Sequence, residues 1–180
     1  MKEVYIFLVT GFEEIEALGT IDVLRRGGVA VKSVSLENDK QVTGSHHVIV
    51  TADQMFDEVD FSKAEMLILP GGTVRINEHE GLKKQVLAFA ETGKNIAAIC
   101  AAPMVLGSLG LLKGKNATSY PGFEKYLDGA TFVETAVVVD GNIITGRGPA
   151  LTIDFALKLV EILKGKAKSD EVAAGLLVKK

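Results

Sequence analysis

The chain has 180 residues, 47% hydrophobic and 24% charged, a balance typical of a soluble globular protein with enough length to bury a sizeable core. Its formal net charge of −3 and pI of about 5.7 remove the electrostatic case for nucleic acid or an anionic membrane as partner. Its one cysteine, Cys100, excludes a disulfide within the chain and fits a reducing, cytoplasmic setting.

In chain order, Val4–Thr10 is a continuous apolar run, the pattern of a strand buried on both faces. The opening segment resembles a signal peptide only superficially. Its apolar run is short, Glu13, Glu14 and Glu16 follow it, and no small-residue cleavage pattern appears, so it reads as a first strand. Ile15–Arg26 has helical apolar spacing and stops at Gly27-Gly28. Val29–Leu36 reads as a second strand. Lys40–Thr51 reads as an extended or hairpin excursion around Gly44. Met66–Leu69 is another buried strand, ended by Pro70-Gly71-Gly72. Leu82–Glu91 is an amphipathic helix closed by Gly93, and Asn95–Ile99 is the strand that leads into Cys100. Val137–Val139 and Ile143–Thr145 flank Asp140-Gly141, a hairpin signal. Thr152–Leu163 is a helix with Asp154 and Lys158 spaced as an i,i+4 pair, and Asp170–Leu177 is a short terminal helix or tail. No apolar stretch reaches the roughly 18 residues that span a bilayer.

Strands alternating with helices predict an α/β fold, a mostly parallel sheet with helices on both faces. No linker or repeat interrupts the chain, so residues 1–180 read as one domain. Ligands of such sheets bind beyond the carboxyl ends of the strands. Three features fall there: Gly11–Glu16, Gly71-Gly72 and Cys100.

Around Cys100 the order is strand, sharp turn, then Pro103 and a helical run. Proline suits the first turn of a helix. That geometry lifts a nucleophile to the sheet edge, as in the hydrolase elbow. Ala98 and Ala102, two positions to either side, leave room for a tight turn. A thiol at a helix N-terminus is expected to have a lowered pKa and partial exposure. The alternative is a small buried hydrophobe, the commonest state of a free cysteine.

A nucleophilic thiol needs a proton acceptor and an oxyanion site. Glu13 and Glu16, three apart, share a helix face, so either can lie beside the thiol. Electrostatics at the helix N-terminus is reason enough for Glu13 and Glu14. Gly71-Gly72 can turn sharply and present N–H groups, or simply end a strand. His46 and His47, adjacent on a strand, would point to opposite faces. These two and His79 show no metal-ligand spacing, so no metal site is expected. Gly146-Arg147-Gly148-Pro149 can form an anion-binding turn, with a structural turn the simpler reading. No Walker A or dinucleotide fingerprint is present.

Taken together, Gly11-Phe-Glu-Glu-Ile-Glu16, Leu69-Pro-Gly-Gly72, Ala97-Ala-Ile-Cys-Ala-Ala-Pro103 and Arg147-Gly-Pro149 resemble the DJ-one/ThiJ/PfpI superfamily, and within it the DJ-one (ThiJ) branch. The resemblance covers nearly the whole chain. It implies a flavodoxin-like three-layer sandwich that pairs into a homodimer, with Cys100 as the reactive cysteine on its elbow. It also implies that the Glu16 carboxyl hydrogen-bonds that cysteine, and that the N–H groups of Gly72 and Ala101 form an oxyanion-type pocket. The activities it implies are cofactor-independent glyoxalase or deglycase chemistry on small reactive carbonyls such as methylglyoxal. The alternative is a redox-sensing or chaperone-like stress protein whose cysteine oxidises to the sulfinic acid.

The chain departs from the family pattern at three positions. Tyr120, in Thr118-Ser-Tyr-Pro121, stands where a histidine often lies near the cysteine, which removes a Cys–His dyad. Ala101 stands where the protease-like branch has a histidine, which makes peptidase activity unexpected. His46 stands where an arginine often lines the dimer interface near the site, so anion binding there is expected to be weaker or dependent on pH.

Overall fold

The computed structural model describes residues 2–178. Its elements in chain order are β1 (Glu3–Leu8), α1 (Glu14–Arg26), β2 (Val31–Ser35), β3 (Gln41–Thr43), β4 (Ile49–Thr51), β5 (Gln54–Met55) and β6 (Ala64–Leu69). There follow α2 (Glu80–Glu91), β7 (Asn95–Ile99), α3 (Pro103–Ser108), β8 (Asn116–Ala117), β9 (Thr131–Phe132), β10 (Val137–Asp140), β11 (Ile143–Gly146), α4 (Thr152–Lys164) and α5 (Lys166–Gly175).

Seven strands form one sheet in the order β10-β11-β7-β6-β1-β2-β5. Every neighbouring pair is parallel except β10 with β11, the hairpin signalled by Asp140-Gly141. Alternate residues of each central strand feed two cores, which is why these strands read as unbroken apolar runs. On one face, Val4, Ile6 and Leu8 pack with Ala17 and Leu24 of α1 and with Phe155 and Leu159 of α4; Val172 of α5 joins them. On the other, Tyr5, Phe7, Leu67 and Leu69 pack with Leu82, Val86 and Phe89 of α2 and with Val105 and Leu106 of α3. The result is the predicted three-layer α/β sandwich.

Several local expectations are corrected. The second strand is shorter than Val29–Leu36, because Val29 caps the end of α1 by donating to the Leu24 carbonyl. The terminal helix begins at Lys166, ahead of the expected Asp170. Lys158 pairs with Glu161 at 2.6 Å, three residues on, rather than with Asp154. The excursion is a hairpin of β3 and β4, but His46 and His47 sit in its turn rather than on a strand. His47 there has φ 66°. No helix among the described residues is long and apolar enough to cross a membrane.

Candidate active site

The site is assembled at the carboxyl ends of β1, β6 and β7, the sheet's central strands. β7 runs straight into Cys100, whose φ of 67° lies in the left-handed region that costs a non-glycine residue about 1–3 kcal/mol. The strain is held by backbone bonds on either side. Cys100 N–H donates to the Gly146 carbonyl at the end of β11 (2.9 Å), and the Cys100 carbonyl accepts from Tyr120 N–H (2.9 Å). Fully buried Ala98 and Ala102 leave the turn its room.

β1 ends in a loop that caps α1. Glu13 is the cap residue: its Oε2 accepts the Glu16 N–H at 2.9 Å, and its own N–H donates to the Gly71 carbonyl at 2.9 Å. Glu16, in the first turn of the helix and fully buried, points back at the sheet edge. Its Oε2 accepts the Gly71 N–H at 2.8 Å, and the Cys100 side chain is its other hydrogen-bonding neighbour. Oε1 has no partner among the described oxygens and nitrogens. A buried carboxylate would leave that oxygen's charge unanswered, whereas a carboxylic acid places its O–H there. Burial pushes the Glu16 pKa up to about 7, against the hydrogen bonds from Cys100 and Gly71.

The thiol departs from expectation. Cys100 is only 7% exposed, and burial raises its pKa, with the negative charge of Glu16 adding to the rise. The N–H groups of Ala101 and Gly72 oppose this by hydrogen bonding to the sulfur. α3 behind the cysteine has six residues, too short a dipole to outweigh desolvation. Cys100 and Glu16 therefore titrate as a strongly interacting pair, which holds two protons below about pH 7 and one above it. Thiolate beside carboxylic acid and thiol beside carboxylate carry the same net charge. The two N–H groups favour the first, and Gly71 favours the second.

Cys100 and Ala101 line a cavity of about 440 Å³ whose walls include Glu13, His46, Val74, Tyr120 and Phe123. Tyr120 reaches it because the Thr118 N–H is tied to Thr145 Oγ1 on β11. His46 is exposed and bonds Glu14 through Nδ1 at 2.9 Å. Glu14 also accepts the His46 backbone N–H and the Ser45 hydroxyl, so it clasps the hairpin turn. Burial pushes Glu14 up, but these bonds outweigh it and hold its pKa near 2. Glu13, Glu14 and His46 bring ligand-type atoms within 4.8 Å of one another, yet the Glu14 oxygens are already committed to the turn. Arg147 stands outside this cavity. It lies over Phe132, pairs with Glu134 at 3.1 Å, and lines an adjoining groove beside Tyr120.

The structure thus brings together Cys100, Glu16, Gly72, Ala101, Tyr120 and His46, and leaves Arg147 apart. Gly71 is the residue that motif reading undervalued. A Cβ there would lie 2.7 Å from Cys100 Cβ and 2.8 Å from Glu16 Oε2. Gly72, at φ 98°, is equally closed, since a Cβ would meet Glu13 N at 2.3 Å. The Gly-Gly dipeptide was the available signal, but which glycine met which neighbour was not. Val74 and Phe123 carried no signal at all, because nothing local marks a cavity wall.

Comparison with known proteins agrees with this geometry. The DJ-1/PfpI family model matches residues 2–162. The chain is 41% identical to protein dj-1beta of Drosophila melanogaster over 98% of its own length and 97% of that protein's. It is 40% identical to protein DJ-1 homolog A of Arabidopsis thaliana over 99% of its length, spanning only about half of that longer relative (47%). The oxidized Toxoplasma gondii DJ-1 structure superposes with a TM-score of 0.95 at 36% identity, covering 100% of both chains. On these matches and on its sheet order, elbow and paired carboxyl, the chain belongs to the DJ-1/PfpI family.

Proposed function

We propose that this protein is a stress-protective enzyme that converts small reactive carbonyls, methylglyoxal among them, to hydroxy acids without a cofactor. The observation that carries this reading is a cysteine on a cavity floor, with two N–H groups on its sulfur and a carboxyl of raised pKa beside it.

In this reading the Cys100 sulfur attacks the aldehyde carbon. The C–S bond forms as the S–H bond breaks, the thiol proton passes by way of Glu16 to the carbonyl oxygen, and a hemithioacetal results. The Gly72 and Ala101 N–H groups steady the developing oxyanion; removing one such donor in other enzymes costs about 3–4 kcal/mol. Glu16, as carboxylate, then takes the proton from the former aldehyde carbon. The electron pair moves onto the ketone oxygen to give an enediolate; that oxygen takes the hydroxyl proton of the former aldehyde carbon as Glu16 returns its proton to the neighbouring carbon, the former ketone. The product is a thioester of the hydroxy acid. Water cleaves it, releasing lactate and restoring the thiol. One water is consumed and no electrons leave or enter. A Glu16 pKa near 7 suits a group that must accept and return a proton at neutral pH.

A second reading has its own support. The same two N–H groups and a protonated Glu16 are placed to hold the oxygens of a sulfinate on Cys100, so oxidation of the thiol is an alternative role. We place the pairing surface of a homodimer at the start of α1 and the β3–β4 turn, where Ile15 (58% exposed) and Ile49 (63%) lie with Leu18 and Val48. Lactate formation from methylglyoxal by wild type and Cys100→Ser separates the two readings. Enzymatic turnover requires loss to background in the variant, and an equal rate rules it out.

A further inference from the structure

The cavity is larger and its wall more selective than a three-carbon dicarbonyl needs. At about 440 Å³ it falls in the range of about 300–1,000 Å³ that encloses drug-sized ligands. Val74, Tyr120, Phe123 and Pro149 supply an apolar wall, and Val74 and Tyr120 are each nearly half exposed. The charged part of the wall is acidic. Glu13 faces the cavity from the loop after β1, with its side chain 10% exposed. The only cationic group on the wall among the described residues is His46, and its Nδ1 is already engaged by Glu14 at 2.9 Å and lies 3.8 Å from Glu13. Two carboxylates therefore face at most one positive charge. Arg147 lies outside the cavity, in the adjoining groove beside Tyr120 and Pro149, where Nη2 pairs with Glu134 and the guanidinium covers Phe132 while Nη1 has no partner among the described residues.

We propose that this site selects uncharged α-oxoaldehydes bearing an aryl or branched apolar group and rejects anionic ones, with Glu13 as the specificity-determining residue. This rests on the carbonyl chemistry proposed for Cys100. The apolar wall receives the substituent while the aldehyde carbon meets the sulfur. An anionic substrate would be brought into the cavity beside the Glu13 carboxylate, with only His46, already engaged by Glu14, as a cation on the wall. The same field works on the product. Hydration of a neutral α-oxoaldehyde, R–CO–CHO plus water, yields R–CH(OH)–COOH, which ionises to an anion. The wall that admits the substrate thus expels what the reaction makes, and Glu13 favours turnover at the release step as well as at entry.

The test has two arms. In the first, kcat/KM is measured for methylglyoxal, phenylglyoxal and 4-carboxyphenylglyoxal. Phenylglyoxal is expected to exceed its carboxylated analogue at least tenfold, and Glu13→Gln, which keeps an oxygen to cap α1, is expected to narrow that ratio to within about threefold. Phe123→Ala is expected to raise KM for phenylglyoxal more than for methylglyoxal. The second arm needs no turnover. Mandelamide and mandelate compete against alkylation of Cys100 by iodoacetamide, and the neutral amide is expected to protect at a concentration at least tenfold lower, a difference that shrinks in Glu13→Gln. Turnover of methylglyoxal that depends on Cys100, with neutral and anionic aryl substrates within twofold, overturns the selectivity and leaves the carbonyl chemistry standing. Absence of all turnover with protection by mandelamide but not mandelate overturns the chemistry and leaves the selectivity. Equal protection by both overturns the selectivity in either case.

Discussion

Gly71 donates its N–H to Glu16 Oε2 at 2.8 Å, and so joins the end of β6 to a buried carboxyl on α1 directly beside Cys100. The contact leaves no room for a side chain. Gly71→Ala would place a methyl 2.7 Å from Cys100 Cβ and 2.8 Å from the same Glu16 oxygen. Overpacking of this kind costs about 1–3 kcal/mol. The variant is expected to unfold at lower urea by that amount and to lose methylglyoxal turnover at least tenfold. A fully active, equally stable Gly71→Ala would mean that the pair does not depend on this geometry.

Glu16 also sets a pH dependence. Its folded pKa, about 7, stands above its ordinary value of 4.5, so the folded state holds the proton more tightly than the unfolded chain. The sign follows from linkage: this contribution is fully present below about pH 4.5 and is lost as pH rises through about 7. At about 1.4 kcal/mol per pH unit, the loss amounts to about 3 kcal/mol at most. Glu16→Gln cannot ionise. It is expected to match wild type in urea denaturation at pH 4 and to exceed it at pH 8.5 by about 1–3 kcal/mol. An identical difference at both pH values would show that Glu16 titrates normally.

The elements that position this pair were legible in the sequence, and the energetics of the pair were not. Strand, cysteine, small residues and proline mark the elbow, and φ 67° at Cys100 is its physical form. Spacing alone left Glu13 and Glu16 equally able to reach the thiol. Only the cap geometry, with Glu13 turned onto the Glu16 N–H, assigns the first to the helix end and the second to the sulfur. The expected fall in the thiol pKa failed because burial depends on the whole tertiary surround, which no local motif encodes. Lys158 chose Glu161 over Asp154 for a similar reason, since i,i+3 and i,i+4 partners lie at nearly equal reach and rotamers decide.

Oxidation offers a separate check on access to the sulfur. Graded peroxide is expected to add oxygen atoms at Cys100 rather than to form a disulfide within the subunit, since the chain has no other cysteine. Intact mass with peptide mapping reads this. Modification confined to Met55 and Met104, with Cys100 untouched, would mean that 7% exposure closes the thiol to small reagents.

The pairing surface is checked by sedimentation. Wild type is expected to run as a dimer at micromolar concentration, and Ile49→Glu, which puts a charge in the exposed apolar patch, as a monomer with unchanged circular dichroism. A monomeric wild type would remove the dimer, and a dimeric Ile49→Glu would move the interface elsewhere.

The most direct measurement of the central claim is methylglyoxal conversion in D2O, followed by proton NMR of the lactate, for wild type and Cys100→Ser. Wild type is expected to give lactate, with deuterium at its hydroxyl-bearing carbon to the extent that Glu16 exchanges its proton with solvent before returning it, and Cys100→Ser is expected to give none above background. Lactate formed at the same rate by Cys100→Ser would contradict the account.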